Sequence, residues 1–165
     1  MKSALLAAAL VLTASLAPAH ADDATVTYKS LSPDVALEAA QAALKRCRAD
    51  GYQVAVVVLD RFGEPQVLLR DRFAGLPAPR TATDKAWTAL GFRADTAALA
   101  RSVQSGQLDA RLANLPRVTF LGGGLVVEAG GTLLGAIAVS GAPGGDKDEA
   151  CARAGLDAIR DKLDF

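Results

Sequence analysis

Few side chains in this sequence have chemistry to offer. Cys47 and Cys151 are the only cysteines, His20 the only histidine and Met1 the only methionine. His20 stands in Ala19-His20-Ala21, just after an apolar run from Ala4 to Ala17 that follows Lys2. That is the pattern of a secretory signal with an A-x-A cleavage site. The run falls short of the roughly 20 apolar residues that span a bilayer. A retained N-terminal anchor is the other reading. Cleavage after Ala21 removes His20, Met1 and Lys2, leaving residues 22–165 with neither imidazole nor thioether. Zinc sites that use His, Ser–His catalysis and His-ligated haem are then excluded. Export to the periplasm or medium permits a disulfide between Cys47 and Cys151.

Two other groups could act. Asp60 could serve as a base, although its place before Gly63 suits a turn cap better. Gly144-Gly145-Asp146 before a helix has the composition of an anion cradle. It lacks the spacing of a dinucleotide fingerprint or phosphate loop, and Asp146 would repel phosphate, so it reads as turn chemistry.

The elements that must carry these residues form one domain. The chain has 165 residues, with 51% hydrophobic and 22% charged, enough for a packed core. Aromatics are only 5%, so the core uses small side chains. The 18 basic and 18 acidic residues balance, and nothing points to nucleic acid or an anionic membrane.

Ser32-Pro33-Asp34 opens a helix with a cap, a proline and an acid at the positive dipole end. Val35, Ala39, Ala43 and Cys47 form its apolar stripe, beside Ala36, Ala40 and Leu44. Val54 to Leu59 is an unbroken apolar run, read as a central strand. Residues 60–65 form a hairpin turn, 66–70 the partner strand and 71–80 a loop. Thr81 or Thr83 caps a helix over about 84–93. Asp95 caps another, ending near Gly106. A turn of helix follows within 108–115. Short strands are expected at 118–121 and 125–128. Leu133 to Val139 is apolar on both faces, with Leu133, Ile137 and Val139 on one and Leu134, Ala136 and Ala138 on the other. A strand of that kind lies inside a sheet. The last helix runs from about Lys147 to Leu163, with Cys151, Ala154, Gly155, Ala158 and Ile159 on one face. If the first and last helices pack antiparallel, Cys47 and Cys151 meet. A bridge closing so long a loop contributes about 3–5 kcal/mol on the loop-entropy argument. Two buried free thiols are the alternative. Neither cysteine has the CxxC partner or nearby His of a catalytic thiolate. The order fits an α/β fold, an antiparallel sheet of about five strands flanked by helices.

Taken together, the motifs resemble the GlcG/HbpS-like family, also called the haem-degrading domain family. They are Asp60-Arg61-Phe62-Gly63, then Arg70-Asp71, then Lys85-Ala86-Trp87-Thr88-Ala89-Leu90-Gly91-Phe92 with Thr96 after it. Gly123-Gly124, the strand from Gly131 to Ile137, Val139-Ser140-Gly141, Asp146 to Glu149 and Ala152 to Gly155 complete the set. Arg72-Phe73-Ala74-Gly75 stands where the family often has Asp-Gly-Ala. The resemblance covers nearly all of residues 22–165. It implies a profilin-like sandwich that self-associates, with some members binding haem or related tetrapyrroles. On that basis Arg80, Thr81, Lys85, Thr88, Arg93 and Thr96 are candidate ligand-binding residues. They would line a polar-edged pocket between the helix and the hairpin, the cations suiting a tetrapyrrole's propionates. Haem would be held without His or Met. Tyr28, Tyr52, Cys47 and Cys151 remain as strong ligands, and Thr96 is a weak oxygen candidate by its place in the motif.

Three functions follow as expectations. The first is an exported, non-catalytic homo-oligomer that binds haem or a similar planar ligand. The second is an enzyme of haem or small-metabolite turnover using Lys85 or Asp60. The third is an accessory oligomer without ligand.

Overall fold

A computed structural model describes residues 25–163. The expected signal segment, 1–21, and His20 lie outside the described residues. In chain order the elements are α1 (Pro33–Ala49), β1 (Ala55–Asp60), β2 (Pro65–Arg70), α2 (Ala78–Phe92), α3 (Thr96–Gln104), β3 (Gly124–Ala129), β4 (Thr132–Ser140) and α4 (Gly145–Ile159). Short 3₁₀ turns lie at Ala110–Asn114 and Arg160–Lys162. The strands form one antiparallel sheet in the order β2-β1-β4-β3.

β1 and β4 occupy the middle, as their continuous apolar runs require. Each is covered on both faces. α1 and α4 pack on one side, over Val54, Val56, Val58, Ile137 and Val139. α2 packs on the other, over Ala55, Val57, Leu59, Ala136 and Ala138. Ser32 caps α1 by accepting from the Val35 amide, and the alanine stripe behind it is fully buried. The small residues let helix backbones approach closely. A Cβ on Gly155 of α4 would lie 2.7 Å from the Ala39 carbonyl oxygen of α1. Across that seam Cys47 and Cys151 form a disulfide, with Cα atoms 5.4 Å apart.

Four expectations need correction. The sheet has four strands, not five: residues 118–121 lie outside any ladder, and the Thr119 amide donates instead to the Thr88 hydroxyl at 2.9 Å. α2 begins at Ala78, not near 84. Pro77 and Pro79 read as loop signals, but proline's missing N–H costs nothing in a helix's first turn. Thr81 and Thr83 are therefore inside the helix and are not its caps. α4 likewise starts at Gly145 with Gly144 as its N-cap, so Asp146 is a first-turn residue, and the regular helix stops at Ile159 before a 3₁₀ turn. Finally, the register of β3 against β4 slips between Val127 and Glu128, which pair with Gly135 and Leu133. Leu134 is the extra residue. The slip exchanges the faces of the two leucines: Leu134 joins the α1–α4 core and Leu133 the α2 side.

Candidate functional site

The two ends of α2 present two concave surfaces. At its N-terminal end, Thr81 and Lys85 meet the loop after β4 and the start of α4. The cavity there is about 290 Å³, lined also by Leu121, Gly122, Ser140, Gly141, Gly144, Gly145 and Asp148. Its floor is an ion pair. Lys85 is 2% exposed, and its ammonium donates to Asp148 Oδ2 at 2.7 Å and to the Val139 carbonyl at 3.0 Å. Asp148 Oδ1 accepts from the Ala142 amide at 3.0 Å. Burial pushes the Asp148 carboxyl above its ordinary range, and Lys85 and the loop amides draw it back only in part. The pair joins α2 to α4 across the end of β4. Gly123 makes room for it: its φ is +115°, and a Cβ there would sit 2.6 Å from the Asp148 Cβ.

By local pattern alone Asp148 reads only as a first-turn acid matching the helix dipole. A signal for more is present. Asp148, Cys151, Ala152, Gly155 and Ile159 form the buried stripe of α4, so one of the acids lies on an apolar face.

At the other end of α2, a groove of about 310 Å³ opens against the β1–β2 turn. It is lined by Arg61, Phe62, Gly63, Trp87, Leu90, Gly91, Arg93 and Leu133. Asp60 shapes this turn, its Oδ1 accepting from the Phe62 amide at 2.8 Å and the Glu64 amide at 3.0 Å. Arg93 ends α2 in the left-handed region with φ 52°. Arg117 lies over the Trp87 ring, 5.1 Å from its centroid. Tyr28 meets Phe62 edge-on at 5.5 Å between centroids, and the Arg61 guanidinium sits 4.4 Å from the Tyr28 ring centre.

The six candidate residues are thus distributed over several environments. Thr81 and Lys85 share the polar cavity, and Arg93 flanks the aromatic groove. Arg80 is exposed and pairs with Asp84 one turn on, at 2.6 Å. Thr88 is buried and bonds the Asp84 carbonyl at 2.7 Å, the Arg117 carbonyl at 3.2 Å and the Thr119 amide. Thr96 is buried, exchanging bonds with the amide and carbonyl of Gly124 at 2.9 and 3.3 Å. Tyr52 packs against the α1–α4 core. Among the described residues, no group of three or more His, Cys, Asp or Glu could hold a metal ion, and no helix is long and apolar enough to cross a membrane.

A family model described as haem degrading protein HbpS-like matches residues 31–157. Among solved structures, a crystal structure of HbpS is 37% identical, covering 82% of this chain and 94% of that one with a TM-score of 0.78. HbpS of Streptomyces reticuli, with two glutamates changed to aspartate, is 35% identical over 93% and 99% of the two chains, with a TM-score of 0.77. The crystal structure of a PduOC–haem complex is 28% identical over 79% and 95%, with a TM-score of 0.73. No protein of curated function matches. The match over residues 31–157, on a helix-flanked sheet shared with both HbpS structures, places the chain in the HbpS-like haem-degrading protein family.

Proposed function

We propose that this chain is an exported, non-catalytic binder of haem or a related tetrapyrrole, acting as a homo-oligomer with a profilin-like fold. The observation that carries the proposal is the groove at the C-terminal end of α2. Phe62, Trp87, Leu90 and Leu133 offer apolar surface to a planar ring system, with Arg61 and Arg93 at the same groove. Guanidinium groups bind carboxylates with paired, charge-assisted bonds, the chemistry that propionate side chains need. A haem complex among the structural relatives supports the same ligand class.

The donor set decides the kind of binding. Residues 22–165 contain no His or Met, so the porphyrin edge and face carry the contact. Tyr28, packed on Phe62 beside the groove, is the nearby side chain of a type that ligates haem iron. The disulfide agrees with an oxidising compartment.

Titration of the purified mature chain with haemin tests this. The expected result is a saturable Soret shift at micromolar protein, lost in an Arg61→Ala/Arg93→Ala variant that keeps its thermal stability. Absence of the shift, or its full survival in that variant, overturns the assignment. Native mass spectrometry of the same sample reads subunit number and retained ligand together, and a monomer removes the oligomer from the proposal.

A further inference from the structure

The polar cavity at the N-terminal end of α2 plays no part in the tetrapyrrole groove, which lies at the opposite end of that helix. Its hydrogen-bonding inventory is one-sided. Ser140 is 7% exposed, and its hydroxyl has no side-chain or backbone partner among the described residues. It follows Ala136 and Ala138 along the α2 face of β4 and lines the cavity wall. Lys85 has two acceptors, Val139 and Asp148, while an ammonium carries three N–H groups. The first amide of α4, at Gly145 on the cavity wall, precedes the helix's own ladder, whose opening bonds run from Lys147 and Asp148 to the Gly144 carbonyl. Gly122 and Gly145 leave no room there for side chains, since a Cβ on Gly145 would lie 2.9 Å from the Gly122 backbone.

The one carboxylate at the cavity is already engaged. Asp148 Oδ2 takes Lys85 and Oδ1 takes the Ala142 amide. What remains at the cavity are the Ser140 and Thr81 hydroxyls, an ammonium proton and the Gly145 amide. Such a cavity selects an acceptor-rich, anionic guest. Its charge is bounded too. Lys85 is neutralised by Asp148, and Asp146 stands exposed beside the helix start with Lys147 at 3.4 Å. With each cation paired, no surplus positive charge is left to hold the two negative charges of a phosphate.

We propose that this cavity binds a small monocarboxylate, its oxygens held by the Ser140 hydroxyl, the third Lys85 N–H and the Gly145 amide at the start of α4. The binding is independent of haem.

Nitrogen–proton correlation spectra of the mature chain, titrated with acetate at constant ionic strength, test it. Acetamide serves as the neutral isostere and inorganic phosphate as the doubly charged control. The amides of Ser140 and Gly145 are expected to shift saturably with acetate in the millimolar range, and to stay still with acetamide. Ser140→Ala, a change that preserves the buried backbone, is expected to weaken acetate about tenfold, the loss of a hydrogen bond to a charged group. Thr81→Val, on the same wall, gives a second variant should Ser140→Ala fail to fold, with a smaller loss expected. No saturable shift, an equal response to acetamide, tighter binding of phosphate, or unchanged acetate affinity in the folded variants would each overturn the proposal.

Discussion

Replacing Asp148 by Asn leaves the Lys85 ammonium buried without an anion, facing only neutral oxygens, those of the Val139 carbonyl and the new side-chain amide. The size of the effect follows from the geometry. Two unit charges 2.7 Å apart attract by about 6 kcal/mol at an effective dielectric near 20. Desolvation costs several kcal/mol for each ion, so the intact pair is close to break-even. Stranding one partner is different, because its desolvation persists without compensation. Asp148→Asn is therefore expected to cost about 3–5 kcal/mol, and so is Lys85→Met at neutral pH. That is a large fraction of the roughly 5–15 kcal/mol that holds a domain of this size together. The double variant strands no charge. Its new side-chain amide oxygen at position 148 can still accept from the Ala142 amide, so it is expected to lie within about 2 kcal/mol of the parent. Urea denaturation of the four proteins, with comparable slopes, gives the coupling directly. It should be at least about 3 kcal/mol in favour of the pair, as large as couplings between contacting residues become. Additive costs, agreeing within about 0.5 kcal/mol, would refute the premise that the two charges answer each other.

The remaining predictions concern pH, the helix seam and the buried threonine. Burial raises the folded-state value of Asp148 above that of the unfolded chain. Lys85 opposes that shift, so Lys85→Met should raise the carboxyl further, read from the Asp148 side-chain carbonyl carbon shift in an acid titration. Reducing the Cys47–Cys151 bridge, which spans 104 positions, should lower stability by up to about 4.7 kcal/mol, measured as a lower urea midpoint with dithiothreitol than without. Gly155→Ala would place a methyl 2.7 Å from the Ala39 carbonyl oxygen and should destabilise by about 1–3 kcal/mol through overpacking, read in the same assay. Thr96→Val keeps the volume but leaves the Gly124 amide and carbonyl without their hydroxyl partner, an expected loss of about 1–3 kcal/mol on the same urea curves.

How much is legible in the sequence depends on the range of the forces concerned. The central strands announce themselves because an all-apolar run such as Val54 to Leu59 has only one comfortable place. The first helix is legible from its cap and its alanine stripe, and the disulfide from the two helix faces it joins. Each of these rests on periodicity within one element. Sequence and structure part where a neighbour decides. Pro77 and Pro79 signal either a loop or a helix's first turn, and only packing of α2 on the sheet selects the second. Residues 118–121 have strand-like composition, but their backbone is bonded by Thr88 from another element. The bulge at Leu134 arises from pairing with β3 and cannot be counted from β4 alone.

The same distinction governs the candidate site. Lys85, Thr88 and Thr96 stand out by residue type and place in a motif, and type is shared by groups that bind ligands and groups that bind backbone. Thr88 and Thr96 each stabilise a segment that lies outside their own helix. Lys85 meets a carboxylate 63 positions later, a contact no local pattern encodes. What the sequence does imply is that a partner exists: Lys85 lies on the buried side of α2 among Ala82, Ala86 and Ala89, and an ammonium placed there requires an anion. Asp148, alone among the first-turn acids of α4 on its buried stripe, is the matching half. Pairing a charge that interrupts one apolar face with an opposite charge that interrupts another converts two local anomalies into one long-range contact. That contact places the loop after β4, and with it Ser140, over the cavity where a ligand can be sought.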